Sequence, residues 1–288
     1  MKTIHIKYIK ILLVVALVFN SSCSDDFIEV TPRGLVVAEA TVDYDLLLNN
    51  TTTWLNFDAG HSEIYRSFDV YGLEPFFSEL YPEGNARRKN FTWEPGVDDL
   101  VNEIGATRDW LRNYMNNIYI YNKIINEVLS STGGSETEKN SIWAEAKAAR
   151  AAVYFELVNF YGKQYNASTS STDMGFPLVT EADVTVASFT RATVQEVYDF
   201  IIEDINSSID LLPVGVKEKP RMSKGAALAL LGKVYVYQNR FDEAIPLFDA
   251  AFDSFQEGTE VRLFDYNVST LPGGAHAAGF FGPPTVWA

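Results

Sequence analysis

One cysteine, three histidines and a shortage of positive charge set the first limits on this 288-residue chain. A single thiol excludes a disulfide framework, and one Cys with three His cannot build a Cys₄ or Cys₂His₂ zinc cluster. With 23 Lys+Arg against 38 Asp+Glu, a net charge of −15, the chain lacks the cationic stripe that a phosphate backbone demands. No nucleic-acid partner is therefore expected. Apolar runs long enough to span a bilayer (about 18 residues) are missing as well. Gly273-Gly274-Ala275-His276 is not followed by Lys-Ser/Thr, so it is no phosphate loop, and no cofactor motif replaces it. What is present is 47% apolar and 14% aromatic content with only 21% charged residues, too rich in core material for disorder.

The start of the chain has the pattern of an export signal. Lys2, Lys7 and Lys10 precede an apolar run from Ile11 to Phe19. In a helix that run spans about 13 Å, less than half of a hydrocarbon layer of roughly 30 Å, which fits a signal peptide rather than a membrane span. Asn20-Ser21-Ser22 and then the lone Cys23 resemble a bacterial lipobox, with Asn20 where leucine is usual. Residues 1–22 are thus expected to be removed and Cys23 to be lipidated. The alternative is an ordinary cleaved signal with an incidental cysteine. One acyl chain binds membranes only marginally, so durable anchoring takes the several chains that a bacterial lipoprotein carries. Ser24-Asp25-Asp26 supplies a solvated tether and resembles the acidic signal for the outer face of the outer membrane.

Further on, the apolar period is helical. From about Ile104 to Leu129, Trp110, Tyr114, Ile118, Tyr121, Ile125 and Val128 recur at steps of three and four. Gly133-Gly134 stops this helix, and Ser135-x-x-Glu138 is a capping box opening the next. That second helix runs through Trp143, Ala148, Ala152, Phe155 and Val158 to Gly162, its alanines allowing a close neighbour. Residues 162–190 form a long loop rich in Asn, Ser, Thr and Asp, of a length usually functional or mobile. Thr193-x-x-Glu196 caps a third helix with Val194, Val197, Ile201, Ile205, Ser208 and Leu212 inward. Glu203 and Asp204 read as a solvated helix face. A fourth helix begins after Ser223, and Asn239-Arg240 separates it from a fifth that starts with Asp242 as its N-cap.

The last pair matches the tetratricopeptide spacing: Leu228-x₂-Leu231-Gly232-x₂-Tyr235, then Ala244-x₃-Phe248 and Ala251. Gly232 and Ala244 let two antiparallel helices touch, with Tyr235 and Phe248 expected to fill the neighbouring groove. Pro246, as the fourth helical residue, forfeits one hydrogen bond. The third helix echoes a repeat's second half, which predicts a hairpin whose connection has been stretched into loop 162–190. The fold class is therefore all-α: stacked tetratricopeptide-like hairpins with long ordered loops. Residues 23–103 are expected to be a loop-rich aromatic region packed on the helices, with a short helix at Asp43 to Leu48. Residues 104–262 are expected to be the helical scaffold. The Gly- and Pro-rich tail 263–288 is expected to be irregular, the start of a missing second half of a chain truncated at its C-terminus.

Taken together these segments resemble the SusD/RagB family of outer-membrane nutrient-binding lipoproteins. The resemblance is carried by Cys23-Ser24-Asp25-Asp26-Phe27 with Thr31-Pro32-Arg33-Gly34, and by Trp110-x₃-Tyr114-x₃-Ile118-x₃-Asn122. It continues in Glu145-Ala146-Lys147-Ala148-Ala149-Arg150-Ala151 and Tyr154 to Gly162, in Phe176-Pro177-Leu178-Val179-Thr180, and in Arg191-Ala192-Thr193-Val194. Val197-Tyr198-x₂-Ile201-x₂-Asp204-Ile205 and the hairpin from Lys224 to Ala251 complete it. It implies a non-catalytic lipoprotein that captures oligosaccharides, or peptides in some relatives, as a lid over a SusC-like TonB-dependent transporter. The expected place is the cell outer membrane, lipid-anchored and facing the exterior.

Two other functions compete. A tetratricopeptide adaptor would hold peptides in its concave groove. A lipid-anchored glycoside hydrolase would need two carboxylates in one cleft. Acyl-transfer chemistry has only His61 and His276 as bases after signal removal, both in loops without a nucleophile elbow. Sugar binding instead wants aromatic platforms beside hydrogen-bonding side chains. Trp54, Tyr81 and Trp93 lie outside the periodic segments, near Asn56, Asn85 and Asn90, and are the ligand-binding candidates. Cementing loops onto the helices is the plainer role for the same three rings.

Overall fold

The computed structural model describes residues 38–50, 71–94, 108–185, 188–215 and 221–257. Cys23, Trp54, His61, His276 and the 263–288 tail lie outside them. Helices α1 (Thr41–Leu48), α2 (Phe76–Leu80) and α3 (Ala86–Phe91) precede five longer ones: α4 (Arg108–Glu127), α5 (Glu136–Tyr161), α6 (Val194–Ser208), α7 (Lys224–Tyr237) and α8 (Phe241–Glu257). Among the described residues there are two isolated β-bridges and no named strand. The expected loop before residue 104 is thus partly helical, because Phe77, Tyr81 and Phe91 make a small aromatic cluster that α2 and α3 are short enough to share.

The helix ends follow local chemistry. Ser135 Oγ accepts from Glu138 N–H while the Glu138 carboxylate accepts from Ser135 N–H, and Thr193 and Glu196 repeat the arrangement. Ser223 caps α7 by accepting from Ala226 N–H. Gly133 and Gly134 both have positive φ at the α4–α5 turn. The start of α8 departs from expectation. The helix begins at Phe241, and the carbonyl of Arg240 accepts from Glu243 and Ala244, so Asp242 lies within the helix instead of capping it. Pro246 consequently sits deeper, as the sixth helical residue, and leaves the Asp242 carbonyl without its i+4 donor.

Neighbouring helices run antiparallel. On α7 and α8, Gly225 faces Phe255 and Gly232 faces Phe248, so chain directions oppose. A Cβ on Gly232 would come within 2.8 Å of the Phe248 ring. Phe248 therefore packs on its own hairpin partner, where the groove of a neighbouring repeat was expected. Helices α5 and α6 pair in the same sense across the long loop, Lys147 meeting Ser207 and Arg150 meeting Asp204. The stretched hairpin is real.

Helix α5 is the axis of the stack, in contact with α1, α4, α6 and α7. A single stripe was expected on it, but Ile142, Ala144, Ala146, Ala148, Ala151, Val153, Tyr154, Phe155, Leu157 and Val158 are all buried. Trp143 and Ala152, two residues of the expected stripe, are only half-buried. A helix enclosed by several others is apolar around most of its circumference, which masks its period. The expected third-helix stripe is buried throughout, Val194, Val197, Ile201, Ile205 and Ser208 on α6 and Leu212 just beyond its end.

Candidate functional site

Two parts of the molecule hold the candidate residues and the polar residues of the motifs: the exposed aromatic unit 71–94 and the buried polar groups that hold loop 162–190. In the first, Phe77 packs 4.6 Å from Phe91 and 5.7 Å from Tyr81, centroid to centroid. Gly72 sits against both phenylalanines, and the Arg88 guanidinium lies over the Phe77 ring at 5.7 Å. Arg88 also donates to the Tyr81 carbonyl and to Ser78 Oγ, tying α3 to α2. With Phe77 and Tyr81 turned inward at i and i+4, Phe76 and Leu80 are turned out and exposed. Tyr81 is half-buried in this cluster, so only part of its ring can meet a ligand. Trp93 follows α3 in the left-handed region, φ 57°, and is 68% exposed. It has the accessible face that a sugar platform requires. The structure places Tyr81 and Trp93 in one small unit, and Trp54 lies outside the described residues.

The second part was not foreseen. Arg150, nearly buried on α5, donates from Nε to Asp204 Oδ2 at 2.8 Å and from Nη2 to Asp204 Oδ1 at 3.0 Å. Its Nη1 donates to Asn122 Oδ1 at 2.7 Å, and its plane lies over Phe200. Lys147 is a second cation on Asp204, at 3.2 Å. Asp204 is therefore 2% exposed and not on a solvated face. The far side of Asn122 donates to the Val179 carbonyl at 2.9 Å. Tyr154 Oη accepts from Val179 N–H at 2.7 Å and donates to the same carbonyl at 3.1 Å. One chain of bonds thus runs from α6 through α5 and α4 into the long loop. Burial pushes the Tyr154 phenol up to about 12, partly offset by the Val179 backbone and Arg150, so it stays a donor.

Arg191 holds the loop's two ends together, donating to the Gly175, Met174 and Tyr161 carbonyls. Gln195 accepts from Tyr165 and Ser170, and Lys163 pairs with Asp173 at 2.6 Å. A second buried cluster joins α1, α5 and the approach to α7: Arg221 is bidentate to Glu145 and also reaches Asp45 and Asn49. Burial alone would lower the Arg221 pKa, but Glu145 and then Asp45 outweigh it and raise the value. Next to this cluster is a cavity of about 500 Å³ lined by Thr41, Asp45, Gly133, Glu138, Ile142 and Glu145, among others. Each carboxylate there has a partner: Asp45 and Glu145 hold Arg221, and Glu138 closes the α5 cap. Among the described residues no group of three His, Cys, Asp or Glu side chains could hold a metal, and no helix is long and apolar enough to cross a membrane.

The polar residues of the motifs, Asn122, Arg150 and Asp204, therefore meet in one interior network. A family model described as starch-binding, associating with the outer membrane, matches residues 26–236. The chain belongs to the SusD-like family. A curated SusD-like protein of Bacteroides ovatus is 26% identical over 228 residues, covering 77% of this chain and 37% of that protein. A SusD superfamily structure from Bacteroides vulgatus superposes with a TM-score of 0.64 at 22% identity, covering 81% of this chain and 51% of that one. A laminarin-binding SusD-like protein gives a TM-score of 0.61 at 23% identity, with coverage of 81% and 50%. At such identities the structural likeness establishes the SusD-like fold. The chain spans about half the length of these solved relatives.

The network residues were missed although their register gave a signal. Asn122 continues the Tyr114–Ile118 stripe at i+4, and Asp204 follows Ile201 at i+3, so both point inward with the apolar residues. A polar side chain in a buried register demands a partner, and the partner here comes from another helix.

Proposed function

We propose that this chain is a non-catalytic, cell-surface lipoprotein that binds nutrient oligosaccharides and delivers them to a SusC-like TonB-dependent transporter. The observation that carries the reading is the family match over residues 26–236, to proteins described as starch-binding and associated with the outer membrane. Cys23 would carry the lipid, with residues 1–22 removed, and the acidic tether behind it would leave the helical stack facing the exterior. Trp93, Tyr81 and Trp54 are the proposed sugar platforms, Trp93 foremost because its ring is accessible. The engagement of Asp45, Glu138 and Glu145 with Arg221 and a helix cap supports binding over hydrolysis. A glycosidase's acid must instead be kept protonated, which a neighbouring cation opposes.

Isothermal titration of the full chain with starch- and laminarin-derived oligosaccharides, with chromatography of the recovered sugar, tests this. The expected result is heat of binding with the sugar intact. Binding should weaken when Trp54, Tyr81 and Trp93 are together replaced by alanine. Released shorter sugars would instead make the protein a hydrolase, and heat from peptides alone would make it an adaptor. For the partner, the transporter should co-purify with the lipoprotein from detergent-solubilised outer membrane.

A further inference from the structure

Where α5 ends and the long loop leaves and returns, a second cleft opens, of about 320 Å³. That volume lies within the range of ligand clefts, roughly 300–1,000 Å³. Tyr161 and Met174 supply its apolar wall, and Lys163, Thr172, Asp173 and Arg191 its polar one. The Tyr161 ring is steadied by Phe160 at 4.8 Å and Phe176 at 5.7 Å, and Met174 is 59% exposed. The polar groups are held in place by the protein itself. Asp173 accepts from Lys163 Nζ at one oxygen and from Thr169 Oγ1 at the other, both at 2.6 Å. Those two bonds keep its carboxyl below the usual range, so it stays an acceptor at neutral pH. Arg191 is fixed by three carbonyls through Nε and Nη2, and no described residue accepts from its Nη1. Lys163 spends one of its three protons on Asp173, and its side chain is 74% exposed.

We propose that this cleft is a second saccharide subsite, for a neutral sugar ring with adjacent hydroxyls, sharing no residue with unit 71–94. It rests on the oligosaccharide reading above and adds a place to it. A sugar hydroxyl both donates and accepts, and here a fixed carboxylate stands beside two cationic donors with protons to spare. The apolar C–H face of the ring lies on Tyr161 and Met174. The lining also separates the candidate occupants. An apolar face of this chain or another would strip water from Lys163, Asp173 and Arg191 and return no hydrogen bonds. An anion would gain the two cations but face Asp173 and the carbonyl end of α5. A polyol meets neither cost.

Met174 gives the cleft its own reporter, because the chain has only four methionines. In the full chain with isotope-labelled methionine methyls, the Met174 signal, assigned through Met174→Leu, is followed by NMR during titration with maltotriose and laminaritriose. The signal should shift saturably with one or both, and a trisaccharide made only of uronic acids should leave it in place. Lys163→Ala should weaken the response about fivefold, through one lost hydrogen bond. Thr172→Trp, which fills the cleft from an exposed position, should weaken it about tenfold or more. Circular dichroism should be unchanged in both, because the substituted side chains are exposed. The variant with Trp54, Tyr81 and Trp93 replaced by alanine should keep the Met174 shift. Heat of binding with an unmoved Met174 signal would overturn this subsite and leave the oligosaccharide reading standing. A shift that the triple variant abolishes also sinks it, since one site then accounts for both effects. A response to the uronic acid trisaccharide alone would overturn the neutral-sugar assignment, and neither heat nor shift would overturn both readings.

Discussion

Arg150 shows how much rests on a single side chain in this protein. Each of its three nitrogens donates to Asp204 or Asn122, in an interior where both partners are buried. Removing it leaves Asp204 buried with Lys147 as its remaining cation, so Arg150→Ala should cost about 3–5 kcal/mol in urea denaturation of the full chain. Replacing the pair together, Arg150→Met with Asp204→Leu, should cost less than the sum of the two single changes, because no charge is then stranded. Tyr154 makes a pH-dependent contribution. Its folded value, about 12, lies above the ordinary value of 10.0, so its contribution is complete below pH 10 and is lost as pH rises through 12. Tyr154→Phe should cost about 1–3 kcal/mol at neutral pH, with Val179 losing a partner. Alkaline denaturation should then show a shallower loss of stability above pH 10 in the variant than in the parent. Glu127 behaves in the opposite sense: burial would raise it, but hydrogen bonds from Lys123 and Tyr44 prevail and lower it.

Among the elements, the α7–α8 hairpin was the most legible in sequence, because close approach needs small residues at fixed spacing. Gly232→Ala would put a methyl group 2.8 Å from the Phe248 ring, and should destabilise the chain by about 1–3 kcal/mol in thermal unfolding. Ser135→Ala removes the acceptor for Glu138 N–H at the start of α5 and should cost about 1 kcal/mol by the same measurement. Both capping boxes were readable because each closes on residues only three positions away. Helix α5 was harder, since enclosure by α1, α4, α6 and α7 erases the contrast between its faces. Unit 71–94 hid its two short helices for the opposite reason: five or six residues cannot display a period, and their cluster depends on Gly72 and Phe91 meeting Phe77. Between α5 and α6 the described residues of the long loop form no helix. Its attachment was invisible, because Asn122 and Tyr154 reach Val179 from positions 57 and 25 residues away.

For the whole molecule, the proposed anchor and the proposed ligand surface make separable predictions. Cys23→Ser should move the protein from the membrane to the soluble fraction and abolish labelling by a clickable palmitate, leaving the helical stack intact. Trp93→Ala should leave the unfolding temperature unchanged, since the ring is 68% exposed, while weakening oligosaccharide binding. The amino-acid order by itself determined the all-α class, the helix starts at Ser135, Thr193 and Ser223, and the tight hairpin of α7 and α8. Each of these is decided by groups within a few turns of one another. Only the tertiary structure decided that Asp204 is interior, that α5 is enclosed and that the long loop is pinned at Val179. The physical reason is that burial and ion pairing between distant segments exist only once the helices have packed, and no local pattern encodes which polar groups will then meet.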